Sequence, residues 1–185
     1  MTQTSDYGEV LESGAVRFTR LLPGPAERIW AYLTQSELRA TWLAAGPMDL
    51  RIGGAVELEF WNGKLGAEPE TPPADYAKYE GSKLLGHITR LEPPHLLAFT
   101  WGEDGSGCKA SDAQSEVTFE LRPEGEKIRL VLTHRRLGGR DAMLSVSGGW
   151  HTHLDTLVER AYGRVPDSFW RRYLPLNQYY DRLLP

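Results

Sequence analysis

The sequence predicts an α+β fold: a curved antiparallel β-sheet wrapped around a long C-terminal α-helix, with two short helices after the first strand. Three observations carry this. Short segments between residues 16 and 134 alternate apolar and polar residues, the signature of strands with one buried face. Two brief helical patterns interrupt that run early, at residues 26–33 and from the Thr34 box to about 42. After Leu137-Gly138-Gly139 the period changes to that of a helix and holds for some twenty residues. A curved sheet with one apolar face needs a cover, and this last helix is the only element sized for it.

Each element has its own local signal. Val16-Arg17-Phe18-Thr19-Arg20 alternates as a half-buried strand, and Pro23-Gly24-Pro25 ends it, with Pro25 suited to a helix's first turn. Ile29, Trp30 and Leu33 form one apolar stripe. Thr34-Gln35-Ser36-Glu37 reads as a capping box opening a second helix that ends near Trp42. Val56, Leu58 and Phe60 alternate with Ala55, Glu57 and Glu59. Residues 62–78 hold Pro69, Pro72 and Pro73 and read as a long connection. Residues 84–91 and 96–101 flank Glu92-Pro93-Pro94-His95 and pair as a hairpin. Val117, Phe119 and Leu121 precede the turn Pro123-Glu124-Gly125, and Ile128, Leu130, Leu132 and His134 follow in phase. This makes about five strands in a meander.

On a helix over residues 141–162, Trp150, Leu154, Leu157, Val158 and Ala161 share an arc of about 100°. Met143 and Val146 join it, and Gly163 caps the C-terminus. Residues 164–185 are too apolar for a free end and are expected to dock on the domain or cover a partner subunit. The division expected is an N-terminal segment at 1–13, polar and ordered only by docking, one domain at 14–163, and this tail.

The composition sets limits on function. A net charge of −4 provides no basic face for nucleic acid. No apolar run approaches the roughly 18 residues that cross a bilayer, so no membrane insertion is expected. The N-terminus shows no secretion signal, and Cys108, the one cysteine, cannot form an internal disulfide. Both fit a cytoplasmic protein. Cys108 lies in a polar segment and reads as a loop thiol without a catalytic task.

Several motifs, taken in order, carry a family resemblance. They are Pro25-x-x-x-Ile29-Trp30 with Trp42; Gly53-Gly54; Gly86-x-Ile88 with Pro93-Pro94-x-Leu96 and Thr100-Trp101; Leu132-Thr133-His134; and Gly149-Trp150 with Leu154 and Leu157. Over residues 16–163 they resemble the bacterial branch of the homologues of the activator of heat-shock protein 90 ATPase. That family lies within the START/Bet v 1-like (SRPBCC) superfamily, whose helix-grip fold matches the order of elements read above. The resemblance implies a domain that holds a hydrophobic ligand between sheet and helix, or one that contacts a chaperone. A minority of the superfamily are cyclases, hydrolases or synthases. No G-x-x-x-x-G-K-[ST] loop is present, and no cofactor is expected.

The candidate chemistry centres on the segment GGWHTHLDTL, residues 148–157. His151 and His153 stand about 200° apart on a helix and cannot chelate one ion. With no H-E-x-x-H or paired-cysteine pattern, no metal site is expected. His151 and Asp155, at i and i+4, read as a solvated flank pointing away from the sheet. Gly148 and Gly149 imply a kink or a close approach to the sheet. His153 stays open as a cavity residue, and His134 is in phase with an apolar strand face. If the two met, they could hydrogen-bond a polar ligand group or act as acid and base. Ser145 and Ser147 lack a nucleophile elbow, and Glu57 and Glu59 should point outward together.

The aromatics read two ways, as plain core packing or as the walls of a small-molecule pocket. The pocket reading names Trp42, Phe60, Phe99, Trp101 and Trp150 as lining, with His134 and His153 as polar anchors. The expected function is non-enzymatic binding of a small hydrophobic or aromatic ligand. A chaperone-type interaction module and a cyclase- or hydrolase-type enzyme are the alternatives. Self-association as a homodimer, through a sheet edge or the tail, is a further expectation.

Overall fold

The chain runs β1 (Glu9–Leu11), β2 (Ala15–Pro23), α1 (Ala26–Thr34), α2 (Ser36–Arg39), β3 (Ala55–Glu59), β4 (Lys83–Glu92), β5 (Leu96–Thr100), β6 (Glu116–Glu124), β7 (Lys127–Arg135), α3 (Arg140–Ala161) and α4 (Phe169–Leu183). These elements come from a computed structural model that describes residues 7–11, 14–102 and 115–184. Cys108 lies outside the described residues.

All strand pairs are antiparallel, in the order β1-β2-β7-β6-β5-β4-β3. Strands β3 to β7 are the predicted meander. Strand β2 closes on β7, with Val16 opposite His134 and Leu22 opposite Ile128. The next strand, β3, lies at the opposite edge, so α1 and α2 carry the chain across the end of the sheet. The outer side of β3 is partly covered, because Ala45 bridges to Glu59 and Met48 to Val56. Such cover blunts an edge that would otherwise offer unpaired backbone groups.

The sheet curves around α3. Phe18, Leu22, Leu58, Ile88, Leu97, Phe99, Phe119, Leu130 and Leu132 form one buried cluster with Trp150, Leu154 and Leu157. Each large side chain buried here contributes roughly 1.5–3 kcal/mol from area removed from water. Helix α3 ends where the sequence predicted. Gly163 takes φ +71, its N–H bonds Arg160 O at 3.0 Å, and Arg164 N–H bonds Glu159 O at 2.8 Å. This double return satisfies carbonyls that the helix end would leave open, and glycine adopts the left-handed conformation without Cβ strain.

The structure departs from the sequence reading in several places. The segment read as ordered only by docking docks as a strand the reading did not foresee: β1, paired to β2 with Val10 opposite Val16. The capping box does not form. Gln35 is the cap residue of α2 and makes no side-chain cap bond. Thr34 Oγ1 instead donates back to Trp30 O at 2.8 Å, and Ser36 Oγ accepts from Gly46 N–H. The long connection at 62–78 contains 3-10 turns at Asn62–Lys64 and Ala74–Tyr79.

The largest departure concerns the helix face thought to meet solvent. Helix α4 packs along α3, so His151 is buried. A Cβ at Gly148 would meet Asn177 of α4 at 3.1–3.3 Å, so the close approach is to α4 and not to the sheet. Gly148, Thr152 and Thr156 form the stripe, four residues apart, that this second helix covers. Thr156 Oγ1 accepts from Arg172 at 2.8 Å, and the hydroxyls of Thr152 and Thr156 each donate one turn back. At the start of α4, Ser168 Oγ accepts from Arg171 N–H and donates to the Glu70 carboxylate, which also accepts from Trp170 N–H at 3.2 Å. A carboxylate placed against unsatisfied N–H groups at a helix N-terminus is stabilising. Leu65, Phe169, Trp170 and Tyr173, with Tyr76 alongside, complete a second, smaller core.

A buried polar chain beside it joins α4, α3 and β2 to the backbone just before β1. Gly8 N–H donates to Tyr180 Oη at 2.7 Å. Burial pushes the Tyr180 phenol up to about 12, so it keeps its proton and donates to His151 Nδ1 at 2.9 Å. His151 Nε2 faces Asp155 at 3.5 Å, and Asp155 accepts from Arg20 Nε and Nη2 at 3.1 and 2.8 Å. Arg20 is itself buried. A second buried arginine, Arg39, has no carboxylate on it among the described residues and donates to the carbonyls of Leu33, Thr34 and Gly46. Burial lowers its guanidinium to about 10.

Candidate functional site

Five of the seven residues singled out in the sequence are buried between sheet and helix: Trp42, Phe99, His134, Trp150 and His153. Phe60 and Trp101 are half-buried. Phe99 and His134 point inward from β5 and β7, as strand alternation requires. Trp150 and His153 lie on neighbouring flanks of α3. Trp42 sits just past α2, fixed by its indole N–H donating to Tyr32 O at 2.9 Å.

With Phe119 added, the seven form a connected circuit. Phe60 contacts Trp101 at a ring-centroid distance of 6.0 Å, and Trp101 meets Trp150 at 4.8 Å. Trp150 contacts Phe119 at 5.8 Å, and Phe119 contacts Trp42 edge-on at 6.3 Å. Trp42 O accepts from His153 Nδ1–H at 2.8 Å, and His153 returns to Phe60 at 6.4 Å. Phe99 stacks on both Trp101 and Phe119, and His134 lies edge-on to Trp101 at 5.4 Å. Offset and edge-on contacts of this kind are each worth about 0.5–1.5 kcal/mol beyond area burial.

Phe119 and Phe169 are members that the sequence reading missed. Phe119 was visible as an inward strand residue in phase with Val117 and Leu121. Phe169, at 4.8 Å from the His153 ring, was not, because nothing local says that the tail folds back here.

Hydrogen bonds fix the state of both imidazoles. An indole N–H only donates, so His134 Nδ1, at 3.0 Å from Trp150 Nε1, must be the unprotonated nitrogen. The proton is therefore on His134 Nε2, which donates to Ser115 Oγ at 3.2 Å. A carbonyl only accepts, so His153 carries its proton on Nδ1. Burial lowers His134 to about 3. It lowers His153 to about 4, with the positive charge of Arg172 acting in the same direction and the bond to Trp42 O opposing it. Both rings are neutral hydrogen-bonding groups near pH 7, and the two do not bond each other. His151 is turned to Tyr180 and Asp155, on another side of the helix from His153. Among the described residues, no group of three or more His, Cys, Asp or Glu side chains is arranged to hold a metal ion.

Glu57 and Glu59 do share an outer strand face, where Lys83 lies 2.8 and 3.6 Å from them. A separate surface depression of about 300 Å³ lies by Glu92, His95, Glu120 and Arg122, at the β4–β5 turn. None of the circuit residues lines it.

The sequence pattern of the family described as Activator of Hsp90 ATPase homolog 1-like protein matches residues 23–161. The chain belongs to this family. The match runs from the last residue of β2 through α3 and leaves out β1, the rest of β2 and α4. Among solved structures, a protein of Bordetella parapertussis is 43% identical, with 100% of this chain and 95% of that one covered and a TM-score of 0.79. The crystal structure of CalU16 from Micromonospora echinospora is 21% identical, with 96% and 94% covered and a TM-score of 0.66. A crystal structure described as an HSP90 activator from Plasmodium falciparum is 20% identical, with 81% and 96% covered and a TM-score of 0.57. These last two share the fold. No curated protein matches the chain. Among the described residues, no helix is long and apolar enough to cross a membrane.

Proposed function

We propose that the domain binds a small hydrophobic or aromatic ligand between the sheet and α3, without chemical conversion. The observation that carries this reading is the aromatic circuit itself. It combines eight aromatic and imidazole side chains from the sheet, the α2 end and α3, two of them neutral histidines held in defined tautomers. Apolar walls with a few oriented polar groups are the usual make-up of a small-molecule site. Phe60 and Trp101, the half-buried members, mark the side from which a ligand enters.

The test is a titration with a panel of uncharged aromatics (indole, 2-naphthol, 2-methoxynaphthalene and biphenyl), read by tryptophan fluorescence and by NMR. Saturable binding with shifts concentrated at Phe60, Trp101, Trp150 and His153 supports the site. Absence of saturable binding across the panel, together with native mass spectra free of any adduct in protein from its own host, overturns it. The same spectra give the subunit count and so test the expected homodimer.

Family membership favours a second reading, a protein-interaction module that engages a chaperone of the Hsp90 type. Stimulation of an Hsp90 ATPase by the purified protein, unaffected by Trp101→Ala, would favour that reading over ligand binding.

A further inference from the structure

Three histidines are buried in the described structure, and two have both ring nitrogens accounted for. His134 lies between Trp150 Nε1 and Ser115 Oγ, and His151 between Tyr180 Oη and Asp155. His153 is different. It is 6% exposed, and Nδ1–H donates to Trp42 O. Nε2 therefore carries a lone pair, and it has no hydrogen-bond partner among the described residues. The flanking rings, Phe60 at 6.4 Å and Phe169 at 4.8 Å, offer no strong donor. The nearby Arg172 is already committed to Thr156 Oγ1, Ser168 O and Asp167 O. Nε2 is not one of the fully buried unpartnered atoms, so the small exposed part of His153 leaves this acceptor open to a donor from outside the chain.

The geometry points to His153 Nε2 as the polar anchor of the site, and to a ligand of one chemical class: an aromatic molecule carrying a neutral hydroxyl donor, a phenol. This rests on the ligand-binding reading above and adds what the ligand must present. The carbonyl of Trp42 holds the imidazole in the accepting tautomer, and Trp42 is itself fully buried and tied to Tyr32 O, so the acceptor is fixed before any ligand arrives. A phenol is matched better than an aliphatic alcohol on two counts. Its ring suits walls made by Phe60 and Trp101, and its more acidic proton gives the stronger bond to an imidazole nitrogen. The positive charge of Arg172 favours an oxygen that gains electron density as it donates.

The experiment compares 2-naphthol with 2-methoxynaphthalene, equal in ring system and differing in the donor, at pH 7.5 by calorimetry. Wild-type protein should bind the naphthol about tenfold more tightly than the ether, as one buried hydrogen bond allows. His153→Phe should bring the two affinities together while keeping the ether within about threefold of wild type. A second readout needs no variant. The ¹⁵N resonance of His153 Nε2 should move toward the protonated range with the naphthol and stay in place with the ether. Equal wild-type affinities, a preference that survives His153→Phe, or an unmoved Nε2 resonance on naphthol saturation each overturn the anchor while leaving the binding site intact. Failure of both compounds and of the wider panel overturns the site itself.

Discussion

The indole N–H of Trp150 on α3 donates to Nδ1 of His134 on β7 across 3.0 Å, joining helix to sheet through one buried bond. That bond also dictates where the imidazole keeps its proton. Trp150→Phe should leave Nδ1 without a donor and a small void beside it. The expected loss is about 2–4 kcal/mol of unfolding free energy in urea, from an unmet acceptor plus lost packing. The same variant should let His134 titrate at a higher pH, observable in its ring resonances.

Stability should also depend on mildly acid pH. His134 and His153 hold protons only near 3 and 4 in the folded chain, against 6.5 when unfolded. Between those values the unfolded state binds more protons, so stability is full above about 6.5 and falls as pH drops toward 4. Each histidine contributes a slope on the order of 1.4 kcal/mol per pH unit in that interval. Urea midpoints measured from pH 7.5 to 4.5 should show the decline, and His153→Phe should remove about half of the histidine contribution. An unchanged slope in that variant would show that His153 is not held neutral.

The two adjacent glycines of α3 should behave oppositely. A Cβ at Gly149 meets nothing within 4 Å, so Gly149→Ala should gain helix propensity, about 0.5–1 kcal/mol. At Gly148 the added atoms would press on the side chain and Cα of Asn177. Gly148→Val should therefore destabilise by about 1–3 kcal/mol and loosen α4 first. Limited proteolysis within residues 164–183, faster in Gly148→Val and unchanged in Gly149→Ala, is the discriminating measurement.

Tyr180→Phe should remove an acceptor from Gly8 N–H and a donor from His151 Nδ1 while keeping the ring that packs on Phe18. The expected cost is about 1–3 kcal/mol. Amide exchange of Val10 and Val16, on paired strands, should accelerate more than that of Phe119 on β6. Uniform acceleration across the sheet would contradict a local role.

What the sequence makes legible follows from where apolar periodicity exists. Most strands alternate an apolar inner face with a polar or small outer one, and α3 buries Trp150, Leu154 and Leu157 against them, so periods of two and 3.6 reveal both. Helix α4 lies on Gly148, Thr152 and Thr156, a stripe of small and hydroxylated residues that leaves no apolar signal. For that reason His151 reads as solvated although α4 covers it. The aromatic members of the site are legible through the same phase that builds the core. Their partners are not: the bond from His153 ends on a backbone carbonyl, which every residue possesses, and Phe169 comes from a tail whose apolar composition predicts docking without saying where it docks. The capping box failed for a related cause, since Thr34, its capping residue, ends α1 and its hydroxyl donates back to the carbonyl of Trp30.

The 2.7 Å bond from Gly8 N–H to the Tyr180 hydroxyl ties together two positions 172 residues apart. The first and last described segments of the domain therefore lie within the reach of one tyrosine side chain. A circular permutant that joins the two ends by a short flexible linker and opens the chain at Gly125, the exposed tip of the β6–β7 turn, should retain every buried contact of the native chain. In such a molecule β1 and α4 become neighbours in sequence as well as in space, and the domain's two flanks fold as one local unit.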